Sequence, residues 1–282
     1  MATEMFGPAL VSLGDQPWAV LPPQAFQRYL REHKLPERDT ASAISVDALD
    51  KLAPELRSAD VMVLRLGSPD GERHAHFSLI RAAGRLKDFF LIDAEIFGDT
   101  APITFLPDVS VRSLYPYSVI PEFTETTLVN LAFASGSIGY ALGLDLPFPV
   151  AAPATGHSTY SFTFLPHSGA PMELRHDNGQ VEIDAVFIGR RGGQDILFVV
   201  EAKVGKPSTL AKHKLVYPVL ALAAHVPRDL PIVPVYVRAT SDDRAARYHV
   251  VECEFPDPRS HPPSLDGLRA RRHSFLSVPL PR

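Results

Sequence analysis

Cysteine is almost missing from this chain: among 282 residues, Cys253 is the only one. That excludes a disulfide framework and any zinc site built on several cysteines, and a reducing, cytoplasmic setting is expected. Long apolar runs are missing as well. The longest, Leu215 to Ala224, is too short to cross a bilayer and contains Pro218, so a soluble protein with no membrane partner is expected. The opening residues carry Glu4 and no basic segment, unlike a secretory signal. Nor is there an excess of positive charge: 28 Lys and Arg stand against 32 Asp and Glu, a net −4, so any nucleic-acid footprint has to be local. No internal repeat, helicase motif or P-loop occurs. The glycine spacing in Ser135-Gly136-Ser137-Ile138-Gly139 fits neither a dinucleotide fingerprint nor a nucleophile elbow.

What is present is organised in two parts. Residues 1–115 read as a mixed α/β unit. Helices are expected over Pro23–His33 and Val46–Leu56, the second capped by Ser45, followed by strands at Val61–Leu66, His76–Arg81 and Phe89–Ile92. A turn is expected at Ser68-Pro69-Asp70-Gly71, and the proline-punctuated stretch from Pro102 to Pro121 suggests a boundary. Residues 116–282 then open with a helical stripe of Glu125, Leu128, Leu131, Ala132, Ser135, Ile138 and Leu142. A strand at Thr159–Leu165 and a hairpin turn at Asp177-Asn178-Gly179 follow. Further on come a helix opened by Pro207 or Ser208, strands at Ile232–Arg238 and Tyr248–Phe255, and a proline-rich tail with a basic cluster at Arg269, Arg271, Arg272 and His273.

The stretch from Val181 to Val204 concentrates the chemistry. Val181, Ile183, Ala185 and Phe187 alternate with Glu182 and Asp184, which puts both carboxylates on one face of a strand. Ile196–Val200 is a continuous apolar run, as in a strand buried on both faces, and Glu201 and Lys203 follow it two residues apart. If the strands pair antiparallel with Asp184 opposite Glu201, then Glu182 falls opposite Lys203, and Asp184 and Glu201 can share one cation. A cross-strand ladder of ion pairs on a solvated face is the alternative, disfavoured because the surrounding run implies burial, where charges without a task are costly. Lysine use points the same way. The chain has 7 Lys against 21 Arg, yet Lys203, Lys206, Lys212 and Lys214 fall together, and Lys206, Lys212 and Lys214 are suited to gripping a phosphate backbone.

The order helix, three strands, helix, strand, with Asp184, Glu201 and Lys203 on the second and third strands, resembles the PD-(D/E)XK nuclease superfamily, most like a type II restriction endonuclease. The likeness spans Glu122 to Phe255 and implies an α/β fold with a mixed sheet and an αβββαβ restriction-endonuclease-like core, preceded by an N-terminal domain that reads DNA. It implies that Asp184 and Glu201 hold Mg²⁺, or Mn²⁺, and that Lys203 positions or activates the attacking water. Glu182 makes an ExD…ExK variant. Glu125 would be the acid that the first core helix lends to the metal, or simply an acid favouring the helix dipole. His213, Lys214 and Tyr217 would support the site from the following helix, with packing and hydrogen bonding the more ordinary role for His213 and Tyr217. The expected partners are double-stranded DNA, a second copy of the chain in a homodimer, and a cognate DNA methyltransferase encoded nearby. The alternatives are a repair or recombination nuclease of the same superfamily, or a non-catalytic DNA-binding protein that retains the core.

Overall fold

The computed structural model describes residues 4–69, 72, 74–120, 122–146 and 151–280. The first part of the chain forms α1 (Gly7–Leu13), β1 (Gln24–Ala25), α2 (Phe26–Glu32), α3 (Thr40–Ile44), α4 (Pro54–Ser58), β2 (Val61–Arg65), β3 (His76–Arg81), β4 (Phe90–Ile92), α5 (Asp93–Phe97) and β5 (Ile103–Thr104). Then come α6 (Val111–Ser118), α7 (Glu125–Ala134), α8 (Ser137–Leu142), β6 (Ala154–Phe164), β7 (Leu174–Arg191), β8 (Gln194–Val204) and β9 (Thr209–Ala211). The chain ends with α9 (Lys212–Ala223), β10 (Ile232–Ser241), β11 (Ala245–Glu254) and β12 (Arg269–Pro279). Among the described residues no helix is long and apolar enough to cross a membrane.

The fold is mixed α/β, built on a seven-stranded sheet in the order β5-β12-β11-β10-β8-β7-β6. Strand β7 lies between β6 and β8 and is antiparallel to both, whereas β10 runs parallel to β8 and is reached from it through α9. The alternation in β7 does what period two demands: Val181, Ile183, Ala185 and Phe187 are buried, with more exposed residues between them. In β8, Phe198 to Ala202 are all buried, because helices cover both faces of the sheet. On one face Leu128, Leu131, Phe133, Ile138 and Leu142 of α7 and α8 pack against Ala185, Phe198, Val200, Val237 and Val250. On the other, Leu215, Val216 and Leu220 of α9 join a core with Phe26, Tyr29, Val61, Val63, Phe77 and Leu79.

The second core belongs to both parts of the chain. Two strand pairings cross between them as well: β4 with β9, and β5 with β12. The expected boundary near residue 115 therefore falls between segments that share a core rather than between separately packed bodies.

Several local expectations change. The helix expected over Val46–Leu56 is instead a 3-10 turn at Leu49–Lys51 followed by α4, and Ser45 ends α3 rather than capping a helix. Asp39 caps α3, accepting from Ser42 N at 2.7 Å, and Pro54 starts α4 because proline at a first helical turn lacks a donor that would be unpaired anyway. The stripe from Glu125 to Leu142 is broken in two at Gly136, whose φ of +78° closes α7 in the left-handed region. Asp177-Asn178-Gly179 lies inside β7; Asn178 takes φ +46° at a bulge where the register against β6 shifts, and the chain reverses earlier, between Phe164 and Leu174. Strand β9 takes the place of the start expected for a helix at Pro207 or Ser208, so that α9 begins at Lys212, and the basic tail is strand β12. The expected turn at Asp70-Gly71 lies outside the described residues.

Candidate active site

Strands β7 and β8 part where the acids begin. Their ladder runs from Arg191↔Gln194 to Ala185↔Val200, one step short of the position that sets Asp184 opposite Glu201. That is the register expected from the alternation, since the same step continued places Glu182 opposite Lys203. Beyond the fork β7 stays with β6, pairing Ile183 with Gly156 and Glu182 with His157. Two steps along β6, Ala154 to Gly156, match three along β7, Val186 to Ile183. The extra residue is a bulge at Asp184 and Ala185, a device that bends a strand and re-aims a side chain. The backbone N–H of Ala202, which the fork leaves without a strand partner, donates to Asp184 Oδ2 at 2.7 Å. The Asp184 carboxylate is thus wedged into the fork.

Glu201 and Lys203 follow on β8. Lys203 Nζ lies 3.0 Å from Glu201 Oε1 and donates to the Ala202 carbonyl at 3.0 Å. It also reaches both carboxylate oxygens of Glu125 at 3.4 Å, across from the first residue of α7. Glu201 is only 5 % exposed. Burial pushes its carboxyl up to about 8; Lys203 pulls the other way and Asp184 adds to the rise. Asp184 is raised by burial too, against the Ala202 N–H and Lys203 and with the help of Glu125 and Glu182. Burial alone would lower Lys203, but Glu201 and Glu125 outweigh it and the ammonium is held charged. Four acids around one cation leave the group short of positive charge.

Glu182, Asp184, Glu201 and Lys203 line a cleft of about 320 Å³. Its rim and far end come from segments far apart in the chain: Ser45, Arg65, His157, His176, Gln180, His213, Lys214 and Tyr217. Asp184, Glu201, Lys203, Glu182, His213, Lys214 and Tyr217 are therefore brought together as expected, with Glu125 joined through Lys203. The expected backbone-gripping lysines are split. Lys214 lines the cleft and Lys206 is exposed, but Lys212 is 8 % exposed, and its ammonium is destabilised by burial with Asp266 and Asp88 in opposition. Lys212 faces the shared core, so it does not contact a phosphate backbone. The periodicity of a helix carries it away from Lys214, two positions on.

His213 and Tyr217 are buried. Burial brings His213 down to about 3, with Lys214 and His176 adding to the fall, and raises the Tyr217 hydroxyl. Sequence reasoning missed His157, His176, Arg65, Gln180 and Ser45, which no local spacing links. It also missed Asp93, an acid with no exposure at all in the first turn of α5. Asp93 accepts from Ser208 N at 2.8 Å, from the Tyr236 hydroxyl at 3.0 Å and from Arg238 Nε at 3.1 Å. Tyr236 and Arg238 are the β10 neighbours of Glu201 and Lys203.

The donors at the fork are carboxylate oxygens, the kind of ligand a hard cation takes. Among the described residues no three His, Cys, Asp or Glu side chains are grouped to hold a metal. Two carboxylates are nevertheless what Mg²⁺ uses when substrate oxygens and water complete its shell. Burial raises both, and Asp184 adds to the rise of Glu201. Comparison with curated proteins gives no match, and neither does comparison with solved structures. Residues 106–273, more than half of the chain and including Glu125, the fork and Lys203, match the model described as "Domain of unknown function (DUF6997)", and the chain belongs to that family.

Proposed function

We propose that the protein is a divalent-metal-dependent nuclease that hydrolyses phosphodiester bonds of DNA, with a core of PD-(D/E)XK type. One observation carries the reading: Asp184 sits in the fork between β7 and β8 with Glu201 and Lys203 beside it, on three antiparallel strands followed by a helix and a parallel fourth. Asp184 and Glu201 would hold Mg²⁺ or Mn²⁺, which when bound supplies positive charge to the phosphate and a water of lowered pKa. Lys203, kept protonated by its acidic neighbours, places a fixed cation where negative charge develops on the phosphate oxygens. Asp184 is held by the Ala202 N–H, so its free oxygen needs no rearrangement to serve as a ligand. Lys214, which lines the cleft, and the exposed Lys206 serve as backbone contacts, and the buried Lys212 has no part in it.

The subclass favoured by a single nuclease core with added N-terminal material is a sequence-specific type II restriction endonuclease acting as a homodimer. A nuclease that reads DNA structure rather than sequence is the second reading, favoured by the cleft itself, whose volume is far too small for a double helix. Incubating the protein with plasmid and with single-stranded DNA tests both. Cleavage that needs Mg²⁺ or Mn²⁺ and stops with excess chelator is expected. Discrete plasmid fragments support restriction, a smear or a preference for unpaired DNA supports the second reading, and hydrolysis undiminished by chelator ends the metal-site assignment.

A further inference from the structure

The two ends of the cleft differ in chemistry. Glu182, Asp184, Glu201 and Lys203 give one part of the lining three carboxyl groups and an ammonium. The rest combines Arg65 and Gln180 with buried histidines that have an unmet need for partners. His213, 4 % exposed, has no hydrogen-bond partner for Nδ1 among the described residues. His176, 3 % exposed, has none for either ring nitrogen. Its ring is folded back on Gly179, where a Cβ would come 2.0 Å from Nε2, and the backbone of Gly179 and of Arg65 lies close without reaching hydrogen-bond geometry. A buried polar atom left unpaired costs about 1–3 kcal/mol, so three of them on one cleft wall call for an explanation.

We infer that this end of the cleft is a nucleobase subsite, so that the cleft takes a single unpaired nucleotide with its phosphate at Lys203 and its base against His176 and His213. The inference rests on the nuclease reading for the phosphate end and on the cleft alone for the base end. Burial keeps both histidines neutral at physiological pH, and a neutral imidazole offers one donor and one acceptor. Gln180 adds another of each and Arg65 adds donors. An anion calls for donors only and a hydrocarbon for neither; the edge of a nucleobase presents the two in alternation. The rings of His176 and Tyr217, both in the lining and 4.9 Å apart, give the wall aromatic character, with Phe162 stacked behind His176 at 4.7 Å. A volume of about 320 Å³ falls at the lower end of the range for small-molecule pockets, about 300–1,000 Å³. A base still paired in a duplex could not enter. The substrate is then single-stranded or locally opened DNA, with the unpairing cost of a few kcal/mol avoided where a base is already free.

The test is binding of the four deoxynucleoside 5′-monophosphates to the full-length protein, with deoxyribose 5-phosphate as the base-free control, read by calorimetry and by the ring ¹⁵N signals of the histidines. At least one mononucleotide is expected to bind about tenfold or more tightly than the control and to shift the His213 signals. Arg65→Ala or Gln180→Ala should reduce that advantage and leave affinity for the control unchanged. Equal affinity for mononucleotides and control, or no mononucleotide binding at millimolar concentration, overturns the subsite. The two readings fail separately. Mg²⁺-dependent DNA cleavage without base-dependent binding keeps the nuclease and removes the subsite. Base-dependent binding without cleavage of any DNA does the reverse.

Discussion

Two clusters of buried charge sit side by side on the same sheet, and they are solved differently. Asp93, Tyr236 and Arg238 form one; Asp184, Glu201 and Lys203 form the other, with Tyr236 beside Glu201 and Arg238 beside Lys203 in the parallel register of β10 and β8. In the first, one acid meets one guanidinium and accepts hydrogen bonds from Ser208 N and the Tyr236 hydroxyl besides, so charge and lone pairs are both satisfied. In the second, Lys203 is shared by Glu201 and Glu125 while Asp184 and Glu182 add to the negative charge, and burial, helped by the neighbouring acids, raises the carboxyls of Asp184 and Glu201. A completed network fixes structure, whereas an incomplete one at the end of a cleft is set up for something that arrives. The pairing also keeps the clusters apart. Arg238 is engaged by Asp93 and Tyr236, and Lys203 by Glu201 and Glu125.

Breaking each cluster should produce opposite phenotypes, and the largest effect belongs to the incomplete one. Lys203→Ala and Asp184→Asn are each expected to lower single-turnover DNA cleavage at least ~10²-fold, the loss typical of a transition-state stabilising group. Asp184→Asn should raise the melting temperature by relieving repulsion, whereas Lys203→Ala should lower it modestly, since the Glu201 carboxyl it leaves unpaired is already raised and can take up a proton. Asp93→Ala should instead cost about 3–5 kcal/mol of stability, because it strands Arg238 in a site where that side chain has only 7 % exposure. Thermal melts beside cleavage assays on all three variants separate the cases. A folded Lys203→Ala protein with normal cleavage would remove Lys203 from the chemistry.

Next in size is a dependence on pH. Glu201, raised to about 8 by burial, binds its proton more tightly in the folded chain than in the unfolded one. Its contribution to stability is complete below the unfolded value of about 4.3 and is lost as pH rises through about 8. Without divalent cation, the melting temperature should therefore fall between about pH 5 and 8, and Glu201→Gln should flatten that slope. Added Mg²⁺ should restore stability most at the upper end, where the carboxylate is ionised. His213 and His176 act in the opposite direction, since burial lowers them to about 3 and about 4 and their contribution is lost as pH falls below about 6.5. A flat profile in the Glu201→Gln protein alone assigns the alkaline limb to this group; an unchanged slope would show that Glu201 titrates normally.

The incomplete cluster was legible in the sequence and the complete one was not. Asp184, Glu201 and Lys203 lie within twenty residues on adjacent strands, and alternation alone is enough to set their register. The fork that carries Asp184 to the Ala202 N–H was not readable, because it depends on a bulge against β6, a partner about thirty residues upstream. Asp93 reaches Arg238 across 145 positions, and nothing near Asp93 in the chain marks it. Lys212 shows the opposite failure: a patch of four lysines in a row of residues was read as one surface, but a helix turned one of them inward. The shared core explains why a boundary drawn from prolines missed the packing. Apolar residues of β2 and β3 have no signature that distinguishes a partner in their own half from α9 in the other.

The smallest expected effect concerns Glu125, for which the sequence left two roles open. The geometry supplies a third, as a counter-charge to Lys203 from the start of α7. Both contacts are long, 3.4 Å, and the side chain is 40 % exposed, so the pair is worth at most about 1 kcal/mol. Glu125→Gln keeps the shape and removes the charge. If Glu125 only tethers the lysine, cleavage should change by less than about fivefold and the Mg²⁺ concentration needed for half-maximal rate should stay where it was. If it is a metal ligand brought in with substrate, the rate should fall by about 10²-fold or more and the Mg²⁺ requirement should rise with it. Lys203→Ala in the same background adds a check. Two residues acting as a unit give less than additive losses, whereas a ligand and a separate cation give the full product, and the double variant shows which relation holds.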